Sequence, residues 1–421
     1  GLKTCLKKFN GYCRMWHLKI NVAKSKIMIF NSKNNNYGPF SVDNENLEIV
    51  TNYKYLGMMI SRSTSFDLGI NSLCKKSIKA TYLMNKTLWN ADFIPVDIYL
   101  KSFDTLIKPI LTYGCEVWGL DLTHNCTAFK DNFVDDKSKP EMLHVSFLKK
   151  LLGVNSKSSN LATRSEFGRL PLIVYIAEQI MKYNVRIKAF PDTRLLKRVY
   201  SASSGEIFSL QKTCNHLSTI SNFSITNYRL DSKKDAKHFI KDFKSHWKFY
   251  LENEWYDKLN SKVGSTGQGN KLRFYSKFKK CLKLEKYLLA VKNPTNRSNM
   301  AKLRISAHKL EIEVGRHKRK TIYENGIAKR VHIPVNERVC LNCNLMCIED
   351  ETHFLFRCPS YQKEREEMLN PLCNLSSHSL SNNDNDRILD QIFSEDNHKN
   401  LEIFAGYITT LFTIRQNRNQ N

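Results

Sequence analysis

Four cysteines and one histidine fall within the 19 residues from Cys340 to Cys358, where twelve cysteines spread over 421 residues would place about half of one cysteine. Keeping only metal-binding residue types, the order is Cys340-x2-Cys343-x9-His353-x4-Cys358. Two thiolates on a tight turn can reach one side of a tetrahedral ion, and a His and a Cys returning on a short second arm can close the other. The spacing therefore predicts a Zn2+ site with all four positions filled by protein. No position is left for water or substrate, so the zinc is structural. Cys347 leaves an alternative open, since it either replaces Cys343 as a ligand or stays a free thiol. The rival reading is a group of buried or unpaired thiols with no metal.

A chain of 421 residues exceeds what one core usually organises, so two or three domains are expected. Lys and Arg number 66 against 40 acidic residues, a formal net charge of +26. Such an excess points to a polyanionic partner, RNA or DNA before a membrane. No apolar run approaches the roughly 20 residues that span a bilayer. With no signal peptide and scattered cysteines outside the cluster, the expected location is intracellular, in cytoplasm and nucleus. The sequence leaves the oligomeric state open. Much of the charge sits between Lys271 and Arg330, where 18 Lys or Arg stand against four Glu. Charge this dense binds phosphates by counterion release, with little sequence preference.

The chain opens at Gly1, not Met, directly on a helical pattern, as expected for a polypeptide entered partway through. Leu2, Cys5, Leu6, Phe9, Cys13 and Trp16 share one helical face. Leu18 to Asn21 and Ile27 to Phe30 read as strands, the second apolar enough to be buried on both faces. Short strands follow around Phe40 to Val42 and Leu47 to Val50, with a polar turn at Asn44 to Asn46, and then Tyr53-Lys54-Tyr55-Leu56-Gly57 leads into Met58. From Asn71 the pattern is helical, with Ile78, Leu83, Leu88, Ile98, Phe103, Leu106, Ile107, Ile110 and Leu111 at packing intervals. Pro95 starts a helix and Pro109 should kink it. Residues 190 to 232 read as a polar seam. The next helix carries Phe239, Phe243, Trp247, Tyr250 and Trp255, a stripe that reads as core before base-stacking surface. Residues 261 to 270 make a flexible break, residues 374 to 397 are loose, and Leu401 to Ile414 form a last helix.

Tyr12-Cys13, Trp16, Leu18, Asn21, Lys24-Ser25-Lys26 and Tyr55-Leu56-Gly57, in that order, resemble the end of a reverse-transcriptase palm of the non-LTR, LINE-type retrotransposons. Further matches are Pro109 to Trp118, which is similar to part of the thumb, and His144 through Leu172, which lies beyond it. Arg304-Ile305-Ser306 through Gly315-Arg316 then leads into the Cys2HisCys knuckle, as in that family. His308 lies within this last match and reads as a locally packed side chain, with no carboxylate implied beside it. The resemblance implies a fold that is mainly α, with a small α+β N-terminal part, a helical thumb and a helical C-terminal domain bearing a zinc knuckle.

Domain limits follow at 1–66 (palm remnant), 67–190 (thumb and post-thumb helices), 191–232 (linker), 233–330 (basic helical domain), 331–372 (zinc module) and 373–421. The resemblance further implies that Lys24, Lys26, Tyr53, Lys54, Tyr55, Leu56 and Gly57 contact primer or phosphates. Lys302, Arg304, Arg316, Lys318, Arg319 and Lys320 would belong to a clamp on the nucleic-acid backbone. Partners would be primer-template duplex and element RNA. Paired catalytic aspartates holding two Mg2+ ions in the intact polymerase are not in this sequence, so no polymerisation is expected of the chain alone. Phe133-Val134-Asp135-Asp136 has the letters of such a box. Its flanks, Lys130-Asp131-Asn132 and Lys137-Ser138-Lys139-Pro140, are those of a loop.

Overall fold

The computed structural model describes residues 1–30, 37–89, 94–123, 137–202, 210–224, 228, 233–261, 270–324, 327–369, 385, 387–389, 392–393 and 398–418. The Asp135-Asp136 pair lies outside these residues, as do most of the 261–270 break and most of the 374–397 segment. The described chain is mainly helical with short two-stranded sheets, a small α+β N-terminal part and a Cys/His cluster in the C-terminal region. This is the class expected from sequence. Among the described residues no helix is long and apolar enough to cross a membrane. Two compact units divide the chain, Gly1–Thr87 with Ser102–Gly114, and Leu88–Lys101 with Cys115–Asn421.

In the first unit, helix α1 (Leu2–Met15) is followed by β1 (Lys26–Ile27), β2 (Ser41–Val42), β3 (Glu45–Asn46) and β4 (Glu48–Ile49). β1 pairs parallel to β4, and β2 pairs antiparallel to β3 through Asp43 and Asn44, both at positive φ. A small core of Ile27, Val42 and Leu47 collects Leu6, Ile20, Val22, Ile29 and Phe40. The expected strand at Leu18–Asn21 is not one, and of the expected strand from Ile27 to Phe30 only Ile27 is in β1, with Phe30 exposed. The predicted apolar face of α1 is also corrected. Cys13 is buried, whereas Phe9 and Trp16 are exposed.

The hairpin β5 (Asn52–Tyr55) and β6 (Met58–Ser61) pairs in full register, and α2 (Asp67–Trp89) follows. On α2 the buried positions include Leu73, Cys74, Ser77 and Met84, while Ile78 and Leu83 face outward, contrary to the helical-stripe expectation. Helix α3 (Val96–Ser102) begins one residue after Pro95 and runs into a widened π-turn, Phe103–Ile107, just before Pro109. A proline ring collides with the carbonyl four residues back and lacks an N–H. The extra residue of the π-turn absorbs both defects.

The second unit is built on the Leu172–Lys188 helix, which buries Ile173, Ile176, Ala177, Ile180 and Met181 among others. Gly119 packs against it so closely that a Cβ would lie 2.3 Å from the Ile176 side chain. The Lys139–Leu152 helix is capped by Ser138, carries Pro140 in its first turn and ends on Gly153 at φ 71°, where a left-handed residue releases the chain. Within the expected linker the structure has two helices, Leu195–Ala202 and Leu210–Ile220, which bury Tyr200, Cys214 and Leu217. The aromatic stripe of the Lys233–Asn260 helix is core as expected, with Phe239, Phe243, Trp247 and Trp255 buried. The last helix, His398–Arg418, packs along the Pro294–Arg304 helix.

Charged side chains tie these helices together inside the core. Glu141 accepts from Arg164 at 2.8 Å and from the Leu172 N–H at 2.7 Å, and lies 3.2 Å from His144. Glu166 accepts two hydrogen bonds from Arg304, each at 3.0 Å, and one from Tyr287 at 2.6 Å. Burial raises both carboxyls, but the charges and hydrogen bonds of these partners reverse the effect and hold both below 4.5. A carboxyl whose folded pKa is depressed stabilises the fold above its unfolded value and loses that contribution as pH falls through the folded pKa. The urea midpoint is therefore expected to hold level between about pH 7 and 5 and to fall below about pH 4.5. A midpoint that rises on acidification would contradict these pairings.

Candidate metal centre and nucleic-acid interface

The first arm of the Cys/His cluster is a turn closed by an antiparallel bridge between Val339 and Ile348 and by the Cys340 N–H donating to the Cys347 carbonyl at 2.8 Å. It carries Cys340 and Cys343. The second arm is a π-turn, His353–Arg357, whose start is capped by Asp350 accepting from the His353 N–H at 2.7 Å, and it ends on Cys358. One ligand atom from each of Cys340, Cys343, His353 and Cys358 lies within 4.8 Å of every other. The Cys340 and Cys358 sulfurs are 3.9 Å apart, and Cys343 Sγ is 3.5 Å from His353 Nε2. A tetrahedral zinc with ordinary bond lengths has S–S edges of ~3.8 Å and S–N edges of ~3.5 Å. The donor set therefore fits this ion.

Cys347 is exposed, and its sulfur lies 3.4 Å from the Leu345 carbonyl oxygen. It is outside the cluster, whose four members are Cys340, Cys343, His353 and Cys358. The hydrogen bond to Cys358 and burial push the Cys340 thiol up to about 12, while the same hydrogen bond pulls Cys358 below its usual value. A divalent cation among the sulfurs would remove such protons outright.

Around the cluster, buried carboxylates and arginines fix the two arms. Glu349 takes a two-pronged contact from Arg415 of the last helix, at 2.8 and 2.7 Å, and accepts the Glu311 N–H at 2.7 Å. Arg338 donates to the Ile312 carbonyl at 3.0 Å and to the Ile333 carbonyl at 2.9 Å. Glu351 accepts from Arg273 at 2.8 Å, from Ser306 at 3.1 Å and from His308 Nε2 at 3.0 Å. Burial would raise Glu351, but the His308 hydrogen bond and Arg273 hold its carboxyl down at about 2. His308 thus has the carboxylate partner that the sequence did not imply, 43 residues away. Its Nδ1 accepts the Leu310 N–H at 3.3 Å, so both ring nitrogens are occupied and the residue is a buried link.

The other predicted contacts are distributed unevenly. In the first unit the β5–β6 turn places Leu56 at φ 46° and Gly57 at φ 89°. Leucine in the left-handed region costs on the order of 1 kcal/mol. Tyr113 secures the turn by donating to the Leu56 carbonyl at 2.7 Å, and Lys76 donates to the Gly57 carbonyl at 3.3 Å. Tyr53 donates to the Lys24 carbonyl at 3.0 Å, joining the Lys24 segment to the hairpin. Lys24, Lys54, Tyr55 and Leu56 are exposed, while Lys26 is paired with Glu48 at 2.6 Å.

In the second unit Arg304 is buried between Glu166 and Glu285, where a guanidinium is unavailable to a phosphate. Lys302 is half-buried and donates to Asn299. Arg316 pairs with Glu313, Lys318 with Glu311, and Lys320 with Glu337. Arg319 is exposed and has no ion pair among the described residues. The residues that sequence reading missed are Tyr113, Lys76 and the strand pair that contains Arg319. Asn325-Gly326 between Ile322 and Ile327 was an available signal for the last of these.

Over 120 residues the chain is 25% identical to the RNA-directed DNA polymerase from mobile element jockey of Drosophila funebris. That relative is a mobile-element polymerase. The match covers 28% of this chain and 13% of the relative, so it spans a small part of both. No family model matches the chain, and no solved structure matches it.

Proposed function

We propose that this chain is the C-terminal part of a non-LTR retrotransposon reverse transcriptase, holding primer-template duplex and element RNA and performing no polymerisation by itself. The similarity to the jockey polymerase carries this reading. It is supported by an exposed Tyr55-Leu56 turn held at its backbone by Tyr113 and Lys76, beside exposed Lys24 and Lys54. In this role the turn grips a primer end, the helices that follow act as thumb, and zinc held by Cys340, Cys343, His353 and Cys358 fixes the shape of the C-terminal region. The chain would work where element RNA and target DNA meet, in cytoplasm and nucleus.

Nucleic-acid binding tests the reading. Affinity for an RNA–DNA duplex is expected to fall about tenfold or more as salt rises from about 50 to 200 mM, since each neutralised phosphate adds roughly 0.9 to the logarithmic slope. A retroelement-derived binding protein with its own cellular role would share this slope. A protein-interaction scaffold would not, and salt-independent or absent binding sinks the proposal.

A further inference from the structure

The strand pair missed in the sequence forms a ribbon, β7 (Arg319–Glu324) and β8 (Ile327–His332), antiparallel and in register over all six pairs. At ~3.3 Å per residue it is an arm about 20 Å long. Its two faces differ. Strand alternation places Lys318, Lys320 and Ile322 on one face with Val331 opposite. That face is anchored at its base, where Lys318 pairs with Glu311, Lys320 with Glu337, and Ile322 and Val331 are half-buried, while Lys329 and Ile327 further along it are exposed.

The other face carries Arg319 opposite His332, Thr321 opposite Arg330, and Tyr323 opposite Ala328. All six are exposed, Tyr323 to 76%. No acidic residue lies on it, and neither Arg319 nor Arg330 has an ion pair among the described residues.

We propose that this face of the β7–β8 ribbon binds single-stranded nucleic acid, with Arg319 and Arg330 on the backbone phosphates and the Tyr323 ring stacked on a base. The inference rests on the reading that the chain holds nucleic acid, and it names where an unpaired segment sits. Cations without internal partners neutralise phosphates, and an exposed aromatic ring offers a stacking platform that any unpaired base accepts. A base-paired duplex has no free base face along its length for Tyr323. The charge on this face and the ring at its outer end therefore favour a single strand. The ion pairs of Lys318 and Lys320 on the back face hold the base of the arm, and the face with Arg319, Arg330 and Tyr323 is exposed.

The test uses the full chain with a fluorescent, unstructured RNA strand of about 20 nucleotides and a blunt duplex of the same length. Tyr323→Ala is expected to weaken single-strand binding about 5- to 150-fold, with the duplex unaffected, while Tyr323→Phe keeps the ring and the affinity. Arg319→Ala with Arg330→Ala should lower the salt slope for the single strand by about 1.4. The arm proposal is overturned, and the proposed function left standing, if wild-type chain binds both probes and every variant binds like it. It is overturned too if Tyr323→Ala weakens single strand and duplex alike. A wild-type chain that binds neither probe removes both proposals.

Discussion

If the cluster holds zinc as proposed, Cys340→Ser and Cys358→Ser are each expected to abolish zinc binding and to open the segment around residues 339 to 358. The two sulfurs form one edge of the cluster, 3.9 Å apart, so each substitution removes one of the four side chains that could hold the ion. Structural zinc sites contribute about 10–16 kcal/mol of apparent binding energy in small zinc modules, far more than a short bridge between Val339 and Ile348 can replace. The damage should stay local. Glu349 remains clamped by Arg415, and Arg338 remains bonded to the Ile312 and Ile333 carbonyls, independently of the metal. Cys347→Ser should keep its zinc, because that sulfur lies outside the cluster. Metal content by atomic emission and amide exchange across residues 339 to 358 read both effects. Stoichiometric zinc in Cys340→Ser, or its loss in Cys347→Ser, would remove the assignment.

The Cys/His cluster was legible because its four residues are close in sequence and of a specific chemistry, leaving only the choice between Cys343 and Cys347 to three-dimensional direction. The aromatic stripe from Phe239 to Trp255 was legible for a similar reason, since a helical period shows in a single stretch of chain. The basic block was legible as a count but not as a role. Arg273, Lys279, Arg304 and Arg316 turn inward to Glu351, Glu285, Glu166 and Glu313, and two of those contacts span 78 and 138 residues. Composition cannot separate a charge that faces solvent from one that closes a core. The apolar face of α1 failed in the opposite sense. Periodicity identified Phe9 and Trp16 as one face but could not say what covers it, and both are exposed. The ribbon was missed because its dense charge concealed the alternation of Ile322, Ile327 and Val331 around Asn325-Gly326.

The largest effect on global unfolding is expected at Glu166 and Arg304, where Glu166→Gln should cost about 3–5 kcal/mol in urea unfolding. Glu166, Arg304 and Lys279, all buried, form with the half-buried Glu285 a group with two charges of each sign. Removing Glu166 leaves one positive charge uncompensated where the Arg304 guanidinium lies 4.5 Å from the centres of the Phe278 and Phe393 rings, which attract a cation far more weakly than a carboxylate does. Arg304→Met leaves the opposite imbalance and should cost a similar amount. With both changed, Lys279 and Glu285 still pair, so the double variant should be more stable than the sum of the singles predicts, by about 0.5–3 kcal/mol. Strict additivity would show that the charges do not act as one group. The same variants decide what Arg304 contributes to nucleic-acid binding. Its guanidinium is closed off by Glu166, Glu285 and two aromatic rings, so Glu166→Gln/Arg304→Met, assayed at a temperature where it is folded, should bind single-stranded RNA with the affinity and salt slope of the unaltered chain. A slope lowered by about 0.7 would instead mean that Arg304 reaches a phosphate, and that the core opens when nucleic acid binds.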